Sequence, residues 1–336
     1  MNAKEIDIVN VILIIVSLTL AINLPFQLFL FSYAFLGPLH YATEINWLKE
    51  KNYFLKETKW IALFILCSLL VALPMFLRLN LPGQINKMKW AITMADVLSK
   101  FSDEILLMAI VTTIGLIYFK KMVHLVLFLI PALLATYFFL NYFPDFALFI
   151  AIFVPTLIHV YLFTLLFMIY GTLNSKSKAG FIAIVLVIAA PFIIMMCKVN
   201  PAEYLPLKES VVSSYNSTSF GFLNYGVAKF LLPAQHANAG MLSAIGIKIQ
   251  IFVAFAYTYH YLNWFSKTSI IGWNKNLSKS KLIIITSIWI LSIILYLYNY
   301  KVGFIALLFL SLVHVFLEFP LNITSIKGII AKVKPS

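Results

Sequence analysis

An all-α polytopic membrane helix bundle is the predicted fold, and three observations predict it. Of the 336 residues, 62% are hydrophobic and only 11% are charged, against roughly a quarter charged in a soluble domain. The apolar residues gather into runs of about 20, the length that crosses roughly 30 Å of hydrocarbon. Those runs lack the period-2 alternation of barrel strands, so helices are expected in them. No repeat, charge-rich tract or polar stretch long enough for a soluble domain interrupts the chain, and residues 1–336 read as one integral membrane domain.

The spans follow in order. The first apolar run, 8–36, is too long for a signal-peptide core and has no small-residue cleavage site, so it is expected to stay as a first span. Further runs at 59–79, 103–119, 122–141, 145–170, 180–197, 247–265, 282–299 and 302–320 bring the expected count to about nine. Lys120-Lys121 and residues 141–145 mark tight turns between spans. In the connection 80–102, residues 94–98 have the character of a segment lying flat on the interface. Residues 198–243 are too polar to span: 213–219 read as a loop, and 220–233 as interfacial or re-entrant. Asn216-Ser217-Thr218 matches a glycosylation sequon but is given no weight.

Charge sets the orientation. The chain carries 25 Lys and Arg against 12 acids, a net charge of +13. In a soluble protein that excess would suggest nucleic acid. Here it reads as basic loops at an anionic leaflet, with no nucleic-acid partner. Most of these cations fall in 37–59, 120–121, 171–179, 266–281 and the C-terminal tail. That asymmetry predicts a multi-pass plasma-membrane protein with its N-terminus outside and its C-terminus cytoplasmic. Cys67 and Cys197 lie in apolar runs without any C-x-x-C pairing, as buried thiols would.

The histidines carry the functional signal. His40 follows the first span, and His159, His260 and His314 lie on the fifth, seventh and ninth. Alternate helices of a bundle run in the same direction. His260 and His314 lie about 8–9 Å in from their predicted cytoplasmic ends, and His159 roughly 16 Å, at 1.5 Å per residue. The four imidazoles are therefore expected to converge in the cytoplasmic half, with His236 in the opposite loop and His124 interfacial. Ionisable side chains within spans are costly and mark functional candidates. Glu44 and Glu318 each lie four residues after a histidine, on the same face if the segment is helical. There a carboxylate can orient the imidazole or ligate a metal itself. Singly, each histidine is also explained by an ordinary hydrogen bond between helices.

An imidazole-rich set suits iron, copper or zinc, and a histidine set with open positions suits non-haem iron oxygen chemistry or copper. Haem held by two of the histidines stays open as well. Several alternatives lack their residues: there is no H-x-x-x-H or H-x-x-H-H cluster, no H-E-x-x-H, no phosphate loop and no G-x-S-x-G.

The stretches Pro38-Leu39-His40 with Glu44, Leu157-Ile158-His159, Tyr257 to Trp264 around His260, and His314 with Glu318 resemble the motifs of the Brp/Blh (bacterio-opsin-related) membrane β-carotene dioxygenases. The resemblance covers about 30 residues. Trp264 stands where that family has a second histidine, and Glu44 and Glu318 stand where it has Asp. It implies a helical membrane bundle holding Fe2+ on histidines and cleaving a carotenoid with dioxygen.

The leading reading is a membrane-embedded, histidine-ligated non-haem iron oxygenase acting on a long apolar, carotenoid-, isoprenoid- or lipid-like substrate. His40, His159, His260 and His314 would hold the metal, with Glu44 and Glu318 in support and Tyr259, Trp264 and Phe316 lining the substrate path. Taken singly, each of those aromatics is better explained by ordinary helix packing and interfacial anchoring. The rival readings are a metal-free proton-coupled carrier using His260, His314 and Glu318, a bis-histidine haem protein, and an assembly subunit. Metal identity, substrate and oligomeric state are not read from the sequence.

Overall fold

The computed structural model describes residues 2–51, 58–80, 83–143, 145–146, 149–218, 220–234, 239–268, 272–273 and 277–333. Among them there is no strand, and the all-α membrane class stands. Among the described residues, seven helices are long and apolar enough to cross a membrane, and a bent helix pair would make an eighth. The chain divides into two compact units: unit 1 holds residues 1–40, 156–293 and 325–336, and unit 2 holds 41–155 and 294–324.

Unit 1 opens with α1 (Ala3–Asn23), whose start is fixed by a capping box between Asn2 and Glu5. The buried stripe Ile6, Asn10, Ile14, Ser17 and Ala21 recurs every three or four residues, one face of a helix. That face packs on α12 (Ala244–Lys267) and on α9 (Lys178–Met196). The α9 stripe Ala183, Val187, Ala190 and Ile194 includes small residues that let membrane helices approach closely.

At Leu24 (φ −136°, ψ 54°) the helix stops, and Pro25 starts α2 (Pro25–Phe31). Proline suits a first helical position because the N–H it lacks would have no partner there. A π-helical stretch, Ser32–Leu36, then leads into α3 (Gly37–Lys51).

The path of these segments corrects the reading of 8–36 as one span. Asn10 bonds to Ser266, at the C-terminal end of α12, whereas Tyr204 reaches the Ile22 carbonyl at the other end of α1. From there the chain returns alongside α12: Gln250 donates to the Pro25 carbonyl, Ser32 pairs with Thr258, and His40 meets His260. The run is thus an outward helix and a returning limb, broken where Leu24 leaves helical geometry.

α12 is the centre of unit 1, with 15 of its residues buried. It was expected as an ordinary span over 247–265, yet it is not among the seven apolar helices. The reason is its polar content: Gln250, Thr258, His260 and Asn263 are all buried within the unit, where polar groups in membrane helices belong. A second π-helical stretch, Phe149–Phe163, leads into α8 (Thr164–Ser175), and Tyr161 and Thr164 meet Phe252 and His260 of α12.

In residues 198–243, the stretch expected as a loop at 213–219 is helical up to Ser217. It forms α10 (Glu209–Ser217), followed by α11 (Phe220–Leu231). Tyr215 of α10 is fully buried and donates to Gln250 Oε1 at 3.0 Å. α13 (Lys279–Tyr298) contributes Trp289, whose ring N–H caps the Phe35 carbonyl.

Unit 2 holds α4 (Thr58–Leu77), α5 (Lys89–Lys100), α6 (Ser102–Tyr118), α7 (Met122–Tyr142) and the first 25 residues of α14 (Tyr300–Val333). Ala91 and Ala95 of α5 pack on Leu73 and Leu77 of α4. α5 and α6 meet at a 50° bend at Phe101, so the expected span 103–119 is half of a bent pair. Gly115 of α6 accommodates Leu125 and Phe128 of α7, which a Cβ would meet at 2.7 and 3.1 Å. His124 is exposed on the first turn of α7.

Candidate metal centre

Three of the four singled-out histidines lie together in unit 1. His40, His159 and His260 are buried, with relative exposures of 0, 2 and 7%. His40 Nε2 and His260 Nε2 stand 3.1 Å apart, their ring planes 77° from each other. The His159 ring centroid is 5.2 Å from that of His260.

Local structure explains how three distant positions meet. His260 sits about two turns from the end of the central helix. His40 follows directly on the π-helical stretch Ser32–Leu36, and His159 lies within the second such stretch. π-helical insertions are rare and frequently occur at functional sites, because they shift the side chains that follow around the helix axis.

Each imidazole has a defined setting. His260 Nδ1 is 2.7 Å from Thr164 Oγ1, and Thr164 donates its own hydroxyl proton to the Val160 carbonyl at 2.8 Å. The His40 ring is surrounded by Tyr261, Trp264 and Phe265 at centroid distances of 5.2, 5.6 and 6.4 Å. Such a dry aromatic wall strengthens electrostatic interactions inside it.

His314 belongs to unit 2, where it is buried among carboxylates. Its Nε2 is 3.1 Å from Glu44 Oε2 and 3.3 Å from Glu318 Oε2, with all three side chains no more than 3% exposed. Glu318 comes from the next turn of α14, and Glu44 from α3. The Tyr41 ring lies over His314 at 5.0 Å. A single ring nitrogen offers one proton or one lone pair, so two buried carboxylates on it call for a cation or an added proton among them.

The expected aromatic lining divides three ways. Trp264 does stand against His40. Tyr259 turns to other partners, donating to Asn10 Oδ1 and approaching Met168 Sδ. Phe316 is fully buried in unit 2 beside Phe64. His236 lies outside the described residues.

Compared with protein-family models, with curated proteins and with solved structures, the chain finds no match. Groups of buried histidines and carboxylates on this chain bring their ligand atoms near enough to hold a metal ion. The donor set fits a borderline transition metal, since imidazole suits iron, copper and zinc, and carboxylate completes such sites. Sequence reasoning missed Thr164 and Tyr41, which touch the histidines. A threonine hydroxyl back-bonded to its own helix is common in membrane helices, so nothing in the sequence distinguished Thr164.

Proposed function

We propose that this chain is a membrane-embedded oxygenase whose iron is held by histidine, acting on a long apolar substrate taken from the bilayer. The observation that carries the reading is the buried His40–His260 pair with His159 beside it. Two nitrogens at about 2 Å from one ion and roughly at right angles would be separated by about the distance seen between the two Nε2 atoms. In unit 1 the proposed ligands are His40, His159 and His260; in unit 2 the proposed ligand is His314, with Glu44 and Glu318 orienting or ligating. Bound iron would supply dioxygen binding at positions the protein leaves open. The chain's own part is to hold the imidazoles, to exclude water with Tyr261, Trp264 and Phe265, and to present an apolar setting. The resemblance to the Brp/Blh dioxygenases points the same way, and carotenoid-like isoprenoids are the substrate class it favours.

Metal analysis of the purified protein in detergent, with its absorption and Mössbauer spectra, tests the reading. Close to one non-haem iron per chain is expected, lost in His260→Ala. A Soret band would replace this reading with bis-histidine haem, and protein free of any metal would end it.

A metal-free proton-coupled carrier is the second reading, favoured by His314 lying between two buried carboxylates. Such clusters are where membrane carriers hold protons. Proton uptake into vesicles lost in Glu318→Gln, from protein that binds no metal, would favour it.

A further inference from the structure

The second ring nitrogen of His260 has an assignable partner in the structure, Thr164, and that partner decides its chemistry. A threonine hydroxyl has one proton to give and two lone pairs to receive with. Thr164 spends its proton on the Val160 carbonyl, four residues back on its own helix, at 2.8 Å. The same oxygen is 2.7 Å from His260 Nδ1. With the hydroxyl proton committed, that contact is a hydrogen bond only if Nδ1 carries a proton and donates it.

We infer that Thr164 is a positioning residue, which fixes His260 in the Nδ1–H tautomer and turns the lone pair on its Nε2 toward His40. Three features make this a constraint and not an incidental contact. Thr164 and His260 are both buried, so water does not compete for Nδ1. The Val160 bond sets the threonine rotamer from its own helix. The His260 backbone is held in α12, the most enclosed helix of unit 1. With no cation between the two rings, His40 completes the pair by donating Nε2–H to the His260 lone pair at 3.1 Å. A cation that takes the pair displaces that proton and finds the His260 lone pair already aimed.

The inference deepens the metal-centre reading, and only its consequence for metal affinity rests on that reading. The tautomer stands or falls by itself, so the test has two readouts. In protein labelled with 15N-histidine and freed of metal by chelation, His260 is assigned by the signals lost in His260→Gln. It should show a protonated Nδ1 and an unprotonated Nε2. Thr164→Val keeps the shape and removes the hydroxyl, and should shift His260 to a mixture or to the Nε2–H form. Thr164→Ser should restore the wild-type pattern. For added Fe2+, or Zn2+ as a redox-silent probe, Thr164→Val should weaken binding about 10–100-fold, and Thr164→Ser by no more than a few-fold.

A wild-type His260 protonated at Nε2, or a tautomer unmoved by Thr164→Val in protein that still melts cooperatively, overturns the inference. Metal bound through His260 Nδ1 would do the same while leaving the metal-centre reading in place. Tautomers that respond as expected in protein that takes up neither ion would overturn the metal centre and leave the role of Thr164 standing.

Discussion

At the scale of single residues, the chain buries charge and hydrogen-bonding capacity where membrane proteins can least tolerate waste. Glu44 and Glu318 are 2% exposed and share one nitrogen of His314. Under the metal-centre reading, Glu318→Gln keeps the size and one acceptor oxygen but removes the charge that supports the imidazole. It should lower metal affinity roughly 10–100-fold, and His314→Ala should lower it further. Equilibrium dialysis against Zn2+ or Fe2+ with each purified variant measures this, and unaltered affinity in both would remove His314 and its carboxylates from the site. A second residue-scale prediction concerns Tyr215, which donates to the fully buried Gln250. Tyr215→Phe leaves the Gln250 oxygen without that donor and should cost about 1–3 kcal/mol, read as a lower unfolding temperature in detergent.

At the scale of elements, the polar helix α12 is what the site is built on. Its start is held by Ser243, which caps Gly246, and by a close approach of the Gly240 backbone. A Cβ on Gly246 would lie 1.9 Å from the Gly240 carbonyl oxygen, a position that only backbone movement can relieve. Gly246→Ala should therefore destabilise unit 1 by roughly 1–3 kcal/mol, the usual range for overpacking. Thermal unfolding would show it, whereas Gly171→Ala, with nothing within 4 Å of its Cβ, should change little. The two π-helical stretches are the other decisive elements. His40 lies four residues after the first and His159 within the second, and the apolar runs that contain them carry no mark of where the helix widens.

At the scale of the whole molecule, sidedness is the property most changed from expectation. A small cavity in unit 1 is lined by Asp7, Gly171, Thr172, Gly180 and Lys267, and Ser175 donates to Asp7. The start of α1 therefore lies at the same end of unit 1 as Ser175 and Lys267, which corrects the expectation that the N-terminus faces away from them. The C-terminal part of α14 reaches that end too: Lys332 donates to Asn174, and Gly328 lies against Tyr170. The positive-inside rule predicts that this end faces the cytoplasm. Reporters fused at the N-terminus, after Gly171 and at the C-terminus should all report the cytoplasm. An N-terminal reporter that reads outside would contradict the antiparallel path of α1 and α2.

Sequence alone determined the solvent of this protein and hence its class. Continuous apolar runs leave helices as the structure that satisfies their backbone in lipid, and so the all-α membrane fold was legible throughout. It also singled out the histidines and glutamates that the structure buries, because such a residue in an apolar run is conspicuous against its background. His40, His159 and His260 were readable as one group on that ground, and Glu44 and Glu318 as partners for histidine by their spacing of four. What only the tertiary structure decided is how those residues face one another. The turn at Leu24 was invisible because apolarity continues across it, and hydropathy registers length in lipid without registering direction. α12 is too polar to read as an ordinary span, and what lets it stay buried is the partners that Gln250, Thr258 and His260 find on other segments, an accounting no single segment contains. Thr164 was indistinguishable from any membrane threonine until His260 lay 2.7 Å away. Burial can be read from composition, but the orientation of a hydrogen bond depends on both partners, and here they stand 96 residues apart.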